Sequence, residues 1–326
     1  MTAPLNRFEG PEKKLEIILD SPRLDLRGNL DGRWKSVVQD SGAEIISHRA
    51  TEMMDAYLLS ESSLFVWDDR VLMITCGQTT PVNALPAILR LVGRSNVSLV
   101  FYERKNLFFP ERQPSNFEDD VASIEAFFPG KSYRLGPADN DHVKLFYSCH
   151  ARPEIAQDLT LQVLMHELDP ALMDICSRCS PETVDRRDRL RRLRRLYRDA
   201  IVDSHIFSPC GYSLNGLIEN RYYTVHITPQ PDCSYASFET NMVENDLIEA
   251  ICEVVSVLRP RRFSTVLTTS MDAECMARHA AVTDPAPGYQ TVEKRTRAFD
   301  CGYAVTYLNC EARVTGCGFS MGASFS

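Results

Sequence analysis

Short apolar runs with a period of two restrict the fold of this chain more than any other feature, because such a run can bury only one face of a strand. Leu15, Ile17 and Leu19 open the pattern. Tyr57-Leu58-Leu59 continues it, and a hairpin follows: Leu64-Phe65-Val66-Trp67, a tight Asp68-Asp69-Arg70 turn, then 71–76. Further strands are expected at Val97, Leu99 and Phe101, at Leu159, Leu161 and Val163, and over 222–228, 234–239, 263–268 and 303–308. Three stretches carry helical spacing instead: Leu85, Ile88, Leu89 and Val92; Phe117, Val121, Ile124 and Phe128; and Leu247, Ile251, Val254, Val255 and Leu258. Pro129-Gly130 and Pro260 end the last two. Strands outnumber helices, and helices come singly after groups of strands. That order predicts antiparallel sheets with helices outside them rather than a βαβ parallel sheet.

No Pro-, Gly- or Ser-rich linker divides the 326 residues, so one domain spanning 1–326 is expected. A net charge of −8 argues against nucleic acid or an anionic membrane surface as the main partner. No apolar run approaches the roughly 18 residues that span a bilayer, and residues 1–8 lack a signal-peptide pattern. The 11 cysteines lack a disulfide-framework spacing and read as reduced thiols of a cytoplasmic protein. The strongest local bias is 186–198, with eight arginines interleaved with Leu190, Leu193 and Leu196. A solvated helix or surface segment explains it better than an anion-binding patch.

Four segments concentrate unusual polar residues: Phe8-Glu9-Gly10-Pro11-Glu12-Lys13; Leu59-Ser60-Glu61-Ser62-Ser63; Ile74-Thr75-Cys76-Gly77; and Pro209-Cys210-Gly211-Tyr212-Ser213-Leu214-Asn215, followed by Val225-His226-Ile227-Thr228-Pro229. Singly, each is weak. Ser60-Glu61-Ser62-Ser63 reads as a polar turn, Cys76 as a small buried residue and His226 as a core histidine. Ser213 sits in a near match to a hydrolase nucleophile elbow, with Asn215 where the second glycine belongs. A serine hydrolase would also need a carboxylate to orient its histidine. Cys176 and Cys179 form a lone Cys-x-x-Cys and His166-Glu167 lacks a second histidine, so no metal site is expected.

Taken together, in this order and spacing, the segments and Ser234-Tyr235-Ala236-Ser237-Phe238-Glu239 resemble the eukaryotic-type S-adenosylmethionine decarboxylases from about Phe8 to Val266. The resemblance implies a four-layer α/β/β/α sandwich with two central antiparallel sheets. It implies an autocatalytic cut between Glu61 and Ser62 into chains 1–61 and 62–326 that stay associated. Ser62 then becomes a pyruvoyl group, which forms a Schiff base with the substrate amine; neither metal nor pyridoxal phosphate is needed.

By the same resemblance, His226 is the processing base, Ser213 supplies a hydroxyl during processing and Cys76 is the proton donor in decarboxylation. A strained turn is expected at Glu61, because the acyl shift is uphill for a planar amide. Glu9 and Glu12 are active-site carboxylates, and Phe8, Leu59, Glu61, Phe207 and Gln230 bind S-adenosylmethionine, the aromatic faces attracting its sulfonium. Gln230 stands where the family has a ribose-binding glutamate. A diamine site corresponds to Glu16, Asp158, Thr160, Gln162 and Glu239, with Gln162 replacing a glutamate and Ile74 a lysine; putrescine activation is left open. The implied activity supplies aminopropyl donor for spermidine and spermine. A weakly active paralogue serving as a regulatory subunit is the alternative, and the family includes both monomers and homodimers.

Overall fold

The computed structural model describes residues 8–20, 26–28, 32–151, 157–176, 184–242, 247–282 and 286–313; Cys179 and residues 1–7 lie outside them. The first half forms β1 (Lys13–Leu19), α1 (Arg33–Asp40), β2 (Ile45–Ala50), β3 (Asp55–Leu59), β4 (Ser62–Val66), β5 (Arg70–Thr75), α2 (Leu85–Val92), β6 (Val97–Lys105), α3 (Phe117–Glu125), β7 (Lys131–Leu135) and β8 (Val143–Cys149). The second forms β9 (Leu159–His166), α4 (Leu172–Ile175), α5 (Val184–Arg194), β10 (Ile201–Ile206), β11 (Tyr212–Ile218), β12 (Arg221–Thr228), β13 (Tyr235–Thr240), α6 (Leu247–Leu258), β14 (Arg262–Ser270), α7 (Ala273–Ala281), β15 (Tyr289–Ala298) and β16 (Tyr303–Ala312).

Each half makes one antiparallel sheet, ordered β2-β3-β4-β5-β1-β6-β8-β7 and β10-β11-β12-β13-β9-β14-β16-β15. The second order is the first shifted by eight strands, so one topology is used twice. In both, the strand that opens the half lies in the middle of its sheet.

Period-two alternation assigns the layers. Leu15, Ile17 and Leu19 point from β1 to the outer helices, joining Trp34 and Val38 of α1, Leu85 and Ile88 of α2, and Phe117 and Ile124 of α3. Leu161 and Val163 of β9 do the same with Leu193 of α5 and Ile251, Val254 and Leu258 of α6. The opposite faces meet between the sheets. Ile18, Leu99 and Phe101 pack there on Leu164, Val266 and Tyr307. A separate patch joins Ala56, Phe65 and Ile74 to Leu217 and Tyr222. The result is the expected α/β/β/α sandwich. Each fully buried aliphatic or aromatic side chain contributes roughly 1.5–3 kcal/mol.

Helix ends follow local chemistry. Asn116 caps α3, its Oδ1 accepting from the Asp119 N–H at 2.9 Å while Asp119 accepts from the Asn116 N–H at 3.2 Å. The arginine-rich segment forms α5, whose Arg189 and Arg192 pair with Asp169 and Glu253 at 3.0 and 2.8 Å. Leu190, Leu193 and Leu196 of the same segment pack on the second core.

Candidate active site

The site forms where the β3–β4 turn and the end of β5 face β11, β12 and β13 across the sandwich. Leu59 and Ser62 are register partners, so Ser60-Glu61 is a two-residue hairpin turn. Ser62 adopts φ 106°, a region that non-glycine residues enter only when the surroundings hold them there. Its side chain is buried. The Ser62 hydroxyl lies 3.5 Å from Glu12 Oε1 and 3.8 Å from Cys76 Sγ, which follows its register partner Thr75.

Burial, and then the neighbouring Glu12 carboxylate, push the Cys76 thiol far above the usual cysteine range, so it stays protonated through neutrality. Glu12 itself is pushed up to about 8, mainly by loss of water; the Ser237 hydroxyl, donating to Oε1 at 2.6 Å, opposes that rise. Glu61 is raised too, again by burial, although Ser60 donates to it at 3.1 Å.

Glu9 plays a different part from Glu12. Its two oxygens accept from the Phe109 N–H and from Gln113 Nε2, both at 2.7 Å. Its carbonyl accepts from the Gly77 N–H at 2.8 Å. Glu9 therefore fastens the Phe8 segment to the loop after β5. Phe8 lies so close over Gly77 (φ 62°) that a Cβ there would come within 2.6 Å of its ring. Phe207 is half-buried beside Gly211. The Leu59 side chain faces the outer helices, in the core with Tyr57 and Leu64, which leaves its backbone, beside Ser62, to a ligand between the sheets. Gln230 follows β12 and is half-buried; its carbonyl accepts from the Cys233 N–H at 3.3 Å.

On the second sheet Ser213 of β11 and His226 of β12 are register partners, with Ser213 Oγ 2.8 Å from His226 Nδ1. His226 Nε2 meets Thr224 Oγ1 at 2.8 Å and Ser63 Oγ at 3.2 Å. The Ser63 hydroxyl donates to Asn215 Oδ1 at 2.7 Å, and that of Thr224 to Leu214 O at 2.9 Å. Both hydroxyl protons are thus in use. With both protons placed there, the ring hydrogen falls on Nε2 and Nδ1 is left bare to accept from Ser213. Burial lowers His226 to about 3, well below the ordinary histidine value, so it is neutral at physiological pH. The second ring nitrogen faces hydroxyls, not a carboxylate, and Ser213 lies within a strand rather than on an elbow; a hydrolase triad is not formed.

The sequence model of the family described as Adenosylmethionine decarboxylase matches residues 5–311. The chain belongs to the adenosylmethionine decarboxylase family. It is 33% identical over 323 residues to the S-adenosylmethionine decarboxylase proenzyme of Dictyostelium discoideum, covering 93% of this chain and 85% of that one. Against the proenzyme of Xenopus laevis identity is 35% over 310 residues, covering 90% and 92%. The crystal structure of the Trypanosoma brucei AdoMetDC-delta26 monomer superposes with a TM-score of 0.61 at 27% identity, over 77% of this chain and 99% of that one.

Beside the centre of this adenosylmethionine decarboxylase fold, a charged seam runs between the sheets. Glu16, Asp158, Thr160, Gln162 and Glu239 all come together there, and the structure adds two cations that reading the sequence missed. Arg70 pairs with Glu16 at 3.1 Å and Asp158 at 2.8 Å. Lys14 pairs with Glu239 at 2.9 Å. Tyr222 donates to Glu239, and Tyr303 to Asp158 at 2.7 Å. Burial alone would lower Lys14, but Glu239, Glu16 and Glu103 hold it above the usual lysine range, so it remains an ammonium. The cavities left in the seam measure about 10 and 20 Å³, room for about one water each. Ile74 belongs to an apolar patch with Phe65 and Tyr222 instead.

Ser63, Asn215 and Ser237 lie in segments that the sequence singled out without showing their contacts, and Thr224 was overlooked. The available signal was β1 itself: in Lys14-Leu15-Glu16-Ile17, charges alternate with apolar residues on a strand buried on both faces.

Proposed function

We propose that the chain cuts itself between Glu61 and Ser62 and then decarboxylates S-adenosylmethionine. The observation that carries this reading is Ser62: a buried serine at φ 106°, after a two-residue turn, facing Cys76 and Glu12. In the cut, Ser62 Oγ attacks the Glu61 carbonyl carbon, the C–N bond breaks and the hydroxyl proton passes to the freed amine. Release of backbone strain at Ser62 favours that shift. Loss of the Ser62 Cα proton then breaks the new ester bond, giving Glu61 a free carboxylate. Water converts the remaining dehydroalanine to a keto group with loss of ammonia.

His226 takes the Cα proton. Its bare nitrogen is Nδ1, so the Ser213 hydroxyl on that nitrogen relays the proton. With its ring nitrogens held by fixed hydroxyls, His226 needs no reorganisation at the moment of transfer.

A pyruvoyl group at residue 62 would supply the carbonyl that captures the substrate amine and the sink for the electrons left by CO2. Ser62, Cys76 and Glu12 fit that role by position. Cys76, held protonated, delivers a proton to the substrate carbon. Glu61 and the Phe8 and Phe207 rings favour a cationic substrate.

The seam supports activity without a diamine. Lys14 and Arg70 already neutralise the carboxylates that putrescine's ammonium groups would otherwise meet. The product would serve aminopropyl transfer in spermidine and spermine synthesis, in the cytoplasm, with fragments 1–61 and 62–326 held in one domain; size-exclusion chromatography with light scattering distinguishes monomer from dimer.

A denaturing gel with intact-mass analysis tests the cut: two fragments of those lengths are expected, the larger blocked at its N-terminus. One uncut chain after prolonged incubation overturns the reading. Release of labelled CO2, with and without putrescine, then tests turnover and diamine independence.

A further inference from the structure

A second cavity, of about 620 Å³, opens where the ends of β6 and β9 meet the starts of β8 and β14. That volume is ordinary for a small-molecule site. None of Phe8, Glu12, Ser62, Cys76, Ser213 or His226 lines it. Its walls carry Arg104, Lys105, Arg134, Lys144 and Arg262 against Glu118, Asp139 and Asp141. The lining cations outnumber the lining carboxylates by two, and Asp120 on Arg104 and Glu167 on Arg262, just outside the lining, balance them.

Most of these groups have partners. Arg104 pairs with Asp120 at 2.5 Å and Lys144 with Glu118 at 2.6 Å. Asp141, buried, is held by Arg262 at 2.6 Å and Lys105 at 3.2 Å. Three groups are left over, one of them Asp139, an exposed carboxylate. Arg134, exposed, makes no hydrogen bond or ion pair with a described residue. His166 is 1% exposed, and neither ring nitrogen has a hydrogen-bond partner, although Nε2 comes within 3.4 Å of Asp141 Oδ1.

An imidazole buried without a hydrogen bond is costly, and native structures rarely tolerate one. Phe108 and Tyr235 hold its ring edge-on, at 5.4 and 5.0 Å between centroids, so it cannot swing away easily. A neutral imidazole still offers one N–H to an anion. Beside it, Leu107, Phe108 and Pro110 give the cavity an apolar wall.

We propose that this cavity binds a small organic phosphate, the phosphate on the wall formed by Arg134, Lys144 and Arg262 with His166 donating, and the organic part on Phe108 and Pro110. Guanidinium groups match phosphate geometry with paired donors, which favours phosphate over a simple carboxylate.

Calorimetric titration of the purified full-length protein with inorganic pyrophosphate, AMP and citrate tests the assignment. Pyrophosphate and AMP are expected to bind with Kd of about 1 mM or tighter, citrate at least about tenfold more weakly. Arg134→Glu, at an exposed site, should weaken both phosphates by about tenfold or more, and His166→Gln should weaken them too. If His166→Gln fails to fold, Arg134→Glu alone decides. Absence of binding by either phosphate at about ten times that concentration, unchanged affinity in Arg134→Glu, or citrate binding as tightly as pyrophosphate overturns the proposal.

Discussion

The two halves use the same hairpin at equivalent places and to opposite ends. In the first sheet β3 and β4 are joined by Ser60-Glu61, and in the second β11 and β12 by Glu219-Asn220, each a two-residue loop. Glu219, on the surface, takes φ 51°, the mild left-handed value that tight turns use routinely. In the first hairpin the positive φ falls on Ser62, inside the strand and buried, at 106°. One turn is relaxed and open to water; the other is strained, beside a thiol and a carboxyl group of its own sheet and opposite a histidine across the sandwich. The shared topology builds the scaffold. What differs is where the positive φ sits and what surrounds it, and this makes one hairpin a candidate for chemistry.

That contrast can be broken most decisively at the turns. Ser62→Ala should abolish both the cut and CO2 release, read by intact mass and labelled substrate. Glu219→Gly in the matching turn should leave the cutting rate within about twofold, since glycine accepts positive φ; a large fall there would sink the asymmetry. Next come the second sheet's proton groups. His226→Ala should slow cutting by about 10²–10⁴-fold. Asn215→Ala, which frees the Ser63 proton and loosens the ring tautomer, should slow it about tenfold, while a time course on denaturing gels separates the two. Cys76→Ala should leave the cut intact and lower turnover by about 10²-fold or more. A variant that fails to cut would move Cys76 from the second reaction to the first.

A smaller effect is expected in the seam. Lys14→Met leaves Glu239 buried without its ammonium, and breaking such a pair costs about 3–5 kcal/mol. Melting should fall by roughly 5–15 °C, and added putrescine should restore part of the loss. The last effect concerns pH. Glu12 has a folded pKa of about 8, above its ordinary 4.5. The folded state therefore holds a proton that the unfolded chain has released, and Glu12 makes stability fall as pH rises between those values. Glu12→Gln should flatten the decline in melting temperature between pH 5 and 8; an unchanged slope would place the proton elsewhere.

How much of this could be read from the sequence varies with position in the sheet. Central strands such as β1, β5, β9 and β14 announce themselves by apolar runs, because both faces are covered. The four edge strands β2, β7, β10 and β15 do not: β15, Tyr289–Ala298, is mostly exposed and its composition is that of a surface loop. β8 and β11, next to those edges, were also missed, β11 because its Ser213 and Asn215 drew attention as chemistry. At the site, motif order located Ser62, Cys76, Ser213 and His226, and the structure brings them to one place. Their supports were not legible. Thr224 and Asn215 matter through hydroxyl and amide directions, which appear only once β11 and β12 are paired in register. Nor could spacing show that the Leu59 side chain turns away, since one step along a strand reverses its face.

The place of β1, between β5 and β6 at the heart of its sheet, has a consequence for the molecule's history. A cut after Glu61 leaves that central strand on a piece of 61 residues, joined to the rest only by ladder hydrogen bonds and side-chain packing. The uncut precursor can refold as one chain. A cut form, once unfolded, would have to bring two molecules together and rebuild a sheet from its middle outwards, in a search that depends on concentration. If the proposed cut occurs, denaturation should be reversible for Ser62→Ala and largely one-way for the processed protein: such a fold would be assembled once, before the bond that made assembly easy is given up.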